Sequence, residues 1–163
     1  MSQIYYSSVL TRVGEVFVVA GADCVSRIIF GEKAFRDFRD SLNGTRVVEG
    51  GAAEKMAKEL AQYFEGKLSR FETGIDVPEG TPFQRAVWKK LLDIPYGEVT
   101  TYREIAESVG RPGAARAVGN AVGANPLPIV IPCHRVLASN GLGGYTGGIG
   151  IKKDLLRIEG VLS

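Results

Sequence analysis

The chain has 163 residues, 45% of them hydrophobic and 23% charged, with a net charge of +2 at neutral pH. That length and balance describe one globular domain or two small ones, and exclude a disordered or fibrous polypeptide. No apolar run approaches the roughly 18 residues that span a bilayer, and "MSQIYYSSVLTRVGEVFVVA" lacks the basic start of a secretory signal, so a reducing intracellular setting is expected, with Cys24 and Cys133 as free thiols.

The first eighty residues read as α+β. "QIYYSS", "EVFVVA" and "CVSRIIF" are short β-branched or aromatic runs separated by turn signals, the pattern of strands. "EKAFRDFRDSL" follows with apolar residues at helical spacing. "AAEKMAKELAQYFEG" is a stronger helix, with Met56, Leu60, Tyr63 and Phe64 on one face and Gly66 as its stop. Cys24, at the head of the third strand, is expected in the core. "ETGIDVPEGTP" is rich in Gly, Pro and acids and marks a boundary, so two domains are expected, 1–76 and 77–163.

Beyond the boundary the pattern turns helical. Thr81 caps "PFQRAVWKKLLDI", with Pro82 at the first helical position and an apolar stripe of Phe83, Val87, Leu91 and Ile94. After the turn "PYGEV", Thr100 or Thr101 caps "YREIAESVG", and Glu104 completes a capping-box pattern with Thr101. A turn at "RPGA" leads into "ARAVGNAVGAN", which makes this a helix-turn-helix signature. The second helix is built of small residues, including Ala115, Ala117, Gly119, Ala121 and Gly123, and only Arg116 projects far from it. So smooth a helix packs closely either on its own protein or in a DNA groove, and Arg116 favours the groove. "SNGLGGYTGGIG" is a glycine-rich loop that matches no nucleotide-binding pattern, and its Tyr145 can cover a flat ligand. A short helix within "IKKDLLRIEGVLS" ends at Gly160 and carries Glu159.

Charge is spread unevenly. Residues 1–80 carry 10 Lys and Arg against 12 Asp and Glu, a net of −2, whereas residues 81–163 carry 10 against 6, a net of +4. The segment Ser108 to Lys153 has no acidic residue but holds Arg111, Arg116, Arg135, Lys152 and Lys153. Such a surface suits a polyanion.

The chemistry centres on "NPLPIVIPCHRVLAS", where the single histidine, His134, adjoins Cys133. A thiol of pKa about 8.5 is only a few per cent thiolate at neutral pH, so a nucleophilic cysteine needs a base. The base in turn needs a carboxylate to fix its tautomer, and Glu159 is the candidate. One histidine and two cysteines cannot assemble a four-ligand Cys/His zinc site, so no metal is expected. On the residues alone, Cys133 is either a structural thiol or a nucleophile.

In combination, "YGEVTTYREIA", "AARAVGNAVGANPLP" and "PIVIPCHRVLASNGLGGYTGG" closely resemble the O6-alkylguanine-DNA alkyltransferases, also called methylated-DNA–protein-cysteine methyltransferases. The resemblance runs from about Thr81 to Gly160. It implies an α+β chain with a small RNase H-like amino-terminal domain and a mostly helical carboxy-terminal domain that carries a winged-helix-like helix-turn-helix. It implies a single-turnover transfer of the alkyl group of O6-alkylguanine, and of O4-alkylthymine, from duplex DNA to Cys133, without cofactor or regeneration. By the same resemblance His134 is the base, acting through a water, Glu159 orients it, and Asn125 braces the loop leading to the cysteine. Arg116 would enter the stack in place of a flipped nucleotide, and Tyr102 would contact the 3′ phosphate and then the base. Ala115, Gly119, Ala121 and Arg135 would face DNA, and Tyr145, Thr146, Val136 and Pro128 would line the guanine pocket, where a serine is more usual than Thr146 in some members. A monomer working in the minor groove is implied, in the prokaryotic cytoplasm and nucleoid or the eukaryotic nucleus. The zinc that some relatives carry in the amino-terminal half finds no ligand set here, and a phosphotriester-repairing fusion domain is not expected. Two readings from other classes stand beside this one: a lesion-binding helix-turn-helix protein without chemistry, and a cysteine hydrolase using Cys133, His134 and Glu159.

Overall fold

The computed structural model describes residues 3–77 and 79–163. The chain is α+β and divides into two compact units, Met1–Pro78 and Glu79–Ser163.

In the first unit, β1 (Gln3–Thr11), β2 (Gly14–Ala20) and β3 (Val25–Phe30) form an antiparallel meander. The helix α1 (Glu32–Asp40) leads to β4 (Arg46–Glu49), which pairs parallel to β1 and completes a sheet of order β3-β2-β1-β4. This fourth strand has no expectation behind it in the sequence. Four residues with exposed ends carry too little alternation to read. The helix α2 (Gly51–Phe64) packs across β1 and β2.

The central strand explains the arrangement. Val16 to Ala20 are all buried, so both faces of β2 are covered, as an uninterrupted apolar run requires. Phe17 and Val19 face α1, where Phe17 stacks on Phe35 with ring centroids 4.3 Å apart. By alternation Val16, Val18 and Ala20 face the other side, toward α2. The expected stripe of α2 is its core face: Met56, Leu60 and Tyr63 are fully buried and Phe64 nearly so. Each such side chain contributes about 1.5–3 kcal/mol by burial.

One expectation changes here. Cys24 lies in the turn before β3 and is half-buried, not a core residue. The first part of the acidic boundary stretch is held against the first unit. Buried Glu59 accepts hydrogen bonds from the backbone of Glu72 (2.8 Å) and Thr73 (3.0 Å) and from the Thr73 hydroxyl. Val25 then exchanges backbone bonds with Gly74 and Asp76, both 2.9 Å, which lays residues 74–76 along β3.

The second unit is mostly helical. Thr81 starts α3 (Pro82–Leu91) with a full capping box, in which its hydroxyl accepts from Gln84 N and Gln84 Oε1 accepts from Thr81 N. Thr101 caps α4 (Tyr102–Ser108), but Glu104 does not return the bond to the backbone; its carboxylate accepts from the Thr100 and Thr101 hydroxyls. A turn through Gly110 and Gly113, both at positive φ, leads to α5 (Ala115–Gly123). The helices α3, α4 and α5 pack on one another. Trp88 of α3 donates its indole N–H to the carbonyl of Ala121 at 2.8 Å and so fixes α5. A Cβ on Gly80 would lie 2.5 Å from that indole, which leaves glycine there. Beyond α5 a loop enters one 3-10 turn, Cys133–Arg135, and β6 (Val136–Leu137) pairs parallel with β5 (Thr100–Thr101). The last helix, α6 (Ile149–Ile158), starts two residues earlier than expected, inside the stretch read as loop.

Candidate active site

Cys133 is delivered by a loop with its own internal bracing. The Asn125 amide donates Nδ2–H to the carbonyl of Ile131 (2.8 Å), and its Oδ1 accepts from Leu127 N (2.9 Å). Within this brace Leu127, Ile129 and Ile131 are buried plugs. Ile129 sits at φ +75°, a backbone state that costs a β-branched residue strain and persists only where packing holds it. Asn125 therefore positions the cysteine loop, in the place expected of it.

Behind the cysteine lies a buried polar cluster. His134 is 0% exposed and its Nε2–H donates to Glu159 Oε2 at 2.6 Å. With Nε2 carrying the proton, Nδ1 is left as an acceptor, and it has no hydrogen-bond partner among the described residues. Glu159 follows the last turn of α6 and also holds Arg135, whose Nε donates to Oε1 at 2.7 Å and whose Nη2 donates to Oε2 at 3.0 Å. Arg135 Nη1 donates to the carbonyl of Ile94 at 2.6 Å, and Gly97 N donates to Glu159 Oε1 at 3.3 Å. A carboxylate with this many donors is fixed in place and holds the imidazole in one orientation.

Burial pushes the Cys133 thiol up, while Asn125, Tyr145 and the charge of Lys152 pull it partly back. Burial pushes the His134 imidazole below its ordinary value, against the pull of Glu159. At rest the thiol is protonated and the imidazole neutral. Both shifts oppose passing a proton from the first to the second at rest, so that transfer has to accompany attack of the sulfur on a substrate. Burial also raises Tyr102, and charge on Cys133 adds to this, so its hydroxyl remains a donor.

In front of the cysteine opens a cleft of about 940 Å³, within the range of sites that enclose a small flat ligand. Its walls include Tyr102 and Arg103 of α4, Ala115, Arg116, Gly119, Val122 and Gly123 of α5, and Gly144, Tyr145 and Thr146 of the glycine-rich loop. Most of the expected site residues therefore converge: Cys133, Tyr102, Ala115, Arg116, Gly119, Tyr145 and Thr146 line one cleft.

Others do not. Arg135, expected on DNA, is 7% exposed and committed to Glu159. Ala121 is 2% exposed, packed inward beneath Trp88. Val136 is buried in β6, and Pro128 is part of the Asn125 loop; among the described residues neither lines the cleft. Lys152, counted with the basic surface, is 0% exposed. Its ammonium donates to the carbonyls of Val136 (2.7 Å), Leu142 (2.5 Å) and Gly144 (3.0 Å), and burial pushes its pKa down to about 8. Sequence reasoning missed this lysine as part of the site. Its spacing inside α6, one turn before Leu155 and Leu156 on the buried face, is the signal that could have found it.

The second unit thus joins a paired-helix surface, a cleft lined by Cys133 and a buried His134–Glu159–Arg135 group. Residues 82–161 match the family model described as the DNA-binding domain of 6-O-methylguanine DNA methyltransferase. The methylated-DNA–protein-cysteine methyltransferase of Methanosarcina barkeri is 40% identical over 159 residues, covering 96% of this chain and 97% of that protein. That of Salmonella typhimurium is 42% identical over 170 residues, 99% of each. Among solved structures, the Mycobacterium tuberculosis O6-methylguanine methyltransferase aligns with a TM-score of 0.86 at 37% identity over 99% of this chain and 95% of that one. The Mycobacterium tuberculosis OGT in complex with DNA aligns with a TM-score of 0.82 at 38% identity over 95% and 92%. The chain belongs to the methylated-DNA–protein-cysteine methyltransferase family.

Proposed function

We propose that the protein repairs DNA by moving the alkyl group of O6-alkylguanine, and of O4-alkylthymine, irreversibly onto Sγ of Cys133. The observation that carries this is the buried Cys133 thiol lining the cleft beside His134, which a buried carboxylate holds in one tautomer. As the sulfur attacks the alkyl carbon, its proton passes through a water to Nδ1 of His134. The S–C bond forms, the C–O6 bond breaks, and the electron pair leaves with guanine. The departing base takes up a proton from solvent while the His134 imidazolium gives its proton back to solvent, and the Tyr102 hydroxyl stabilises the charge that develops on the base. The thioether has no leaving group to release, so each molecule reacts once.

The substrate reaches the sulfur only outside the base stack. The low-bulk face of α5 at Ala115 and Gly119 admits a close approach of duplex, in keeping with the minor groove, and exposed Arg116 at the cleft edge fills the gap that the flipped nucleotide leaves. Arg103 and Arg111, both exposed, add phosphate contacts in place of Arg135 and Lys152. We read the first unit as an RNase H-like support, given its meander with a parallel fourth strand between two helices, and the second as winged-helix-like, given α4, the turn and α5 beside the β5–β6 pair. We read the protein as acting as a monomer.

The test is stoichiometry. With a duplex containing O6-methylguanine in tenfold excess, restored guanine should plateau at one equivalent per protein. Continued turnover, or binding with no restored guanine, would contradict the proposal.

A further inference from the structure

The alkyl-transfer reading leaves open how large a group the cleft admits. The wall opposite α5 is the segment Leu142–Gly148, in which four of seven residues are glycine. Such a backbone has little preference of its own, so its position is set by its tethers. At one end the tether is Lys152, sealed inside the protein and bonded to the carbonyls of Leu142 and Gly144. At the other end the segment turns, with Gly148 N donating to the carbonyl of Tyr145 at 2.9 Å. From that turn the Thr146 hydroxyl reaches across and donates to the carbonyl of Gly123, the last residue of α5, at 2.7 Å. Thr146 and Gly123 are both exposed and both line the cleft. Between these ends Tyr102 donates its hydroxyl to the carbonyl of Gly144 at 3.5 Å and Tyr145 meets Cys133, both inside the cleft. The Lys152 tether is buried and permanent, whereas the Thr146 bond to α5 lies in the open and exchanges readily with water.

We propose that the Thr146–Gly123 hydrogen bond is a latch that holds the glycine-rich wall against the end of α5, making Thr146 a determinant of the alkyl-group size the cleft accepts. This inference rests on the alkyl-transfer reading. A methyl group fits with the latch closed. A bulky arylmethyl group displaces the wall from α5, and the latch must break before the alkyl carbon reaches the sulfur. The cost falls on large groups alone. Removing the donor therefore raises the rate for large groups relative to methyl. The freed Gly123 carbonyl is exposed and finds water, so the fold loses no buried partner.

The test compares rates on one duplex sequence carrying O6-methylguanine or O6-benzylguanine, for the unaltered protein, Thr146→Val and Thr146→Ser. Valine keeps the shape without the donor, and serine keeps the donor with less bulk. The benzyl-to-methyl rate ratio should rise on the order of fivefold in Thr146→Val, the Boltzmann weight of one solvent-exposed neutral hydrogen bond, and stay level in Thr146→Ser. The ratio is taken within each protein, so a change in folded fraction cancels. A level ratio in Thr146→Val, or a rise in Thr146→Ser, would overturn the latch, the second by assigning the effect to side-chain bulk. If the unaltered protein acquires neither methyl nor benzyl from its respective duplex, the alkyl-transfer reading itself falls, and the latch with it.

Discussion

The two sides of Cys133 are built on opposite plans. Behind it His134, Arg135 and Glu159 are buried and bonded to one another, with hydrogen bonds reaching Ile94 and Gly97 on the segment after α3. In front of it the Leu142–Gly148 wall has a backbone rich in glycine and is held by contacts from Lys152, Tyr102 and Thr146. The contrast separates two tasks. Proton removal needs one fixed geometry, because a tautomer and an angle must be right before the substrate arrives. Substrate entry needs a boundary that can shift without disturbing that geometry.

The largest break should come from the back. Glu159→Ala strands the Arg135 guanidinium without its counter-ion in a buried site, which costs about 3–5 kcal/mol. Denaturant unfolding should show that loss, and alkyl transfer should be abolished in the fraction still folded.

The front should give less. Lys152→Met keeps the length of the side chain but removes the donor from three carbonyls, and a loss of about 1–3 kcal/mol is expected by the same measurement. A loss as large as that of Glu159→Ala would erase the contrast.

The pH dependence sharpens the comparison further. Neutral His134 is the active form, and its burial lowers its pKa in the folded protein. The transfer rate should then hold as pH falls through about 6.5, the ordinary imidazole value, and decline only below it. An acid limb centred at or above 6.5 would mean that the histidine is not sealed in as described.

The smallest effect belongs to one glycine of the wall itself, Gly144. Gly144→Ala meets no atom within 4 Å and should change stability by less than about 0.5 kcal/mol. Gly143→Ala is different, because Gly143 sits at φ +74° and its added carbon would lie 3.0 Å from the Tyr102 ring. A loss of about 1–3 kcal/mol is expected there. Equal effects at the two positions would show that the wall is not tethered where its hydrogen bonds place it.

Local rules carried much of the fold into the sequence. The Thr81 cap, the buried stripe of α2 and the paired helices α4 and α5 depend on neighbours a few residues apart, so spacing alone reveals them. Cys133 and His134 were legible for the same reason. What escaped depends on partners far along the chain. Arg135 and Lys152 are formally cations of a basic segment, and nothing near them in sequence announces Glu159 or the carbonyls of Leu142 and Gly144 that take them inside. Ala121 is as small as Ala115, but the reach of Trp88 from α3 decides which of them is covered. The short strand β4 exists because β1 offers it an edge, not because of its own four residues.

The account stands most directly on the fate of one sulfur. After incubation with duplex containing O6-methylguanine, proteolysis and mass spectrometry should find a single added methyl, located on the peptide bearing Cys133, in all of the active protein. A Cys133 peptide of unchanged mass alongside restored guanine, or a methyl carried on Cys24 instead, would contradict it.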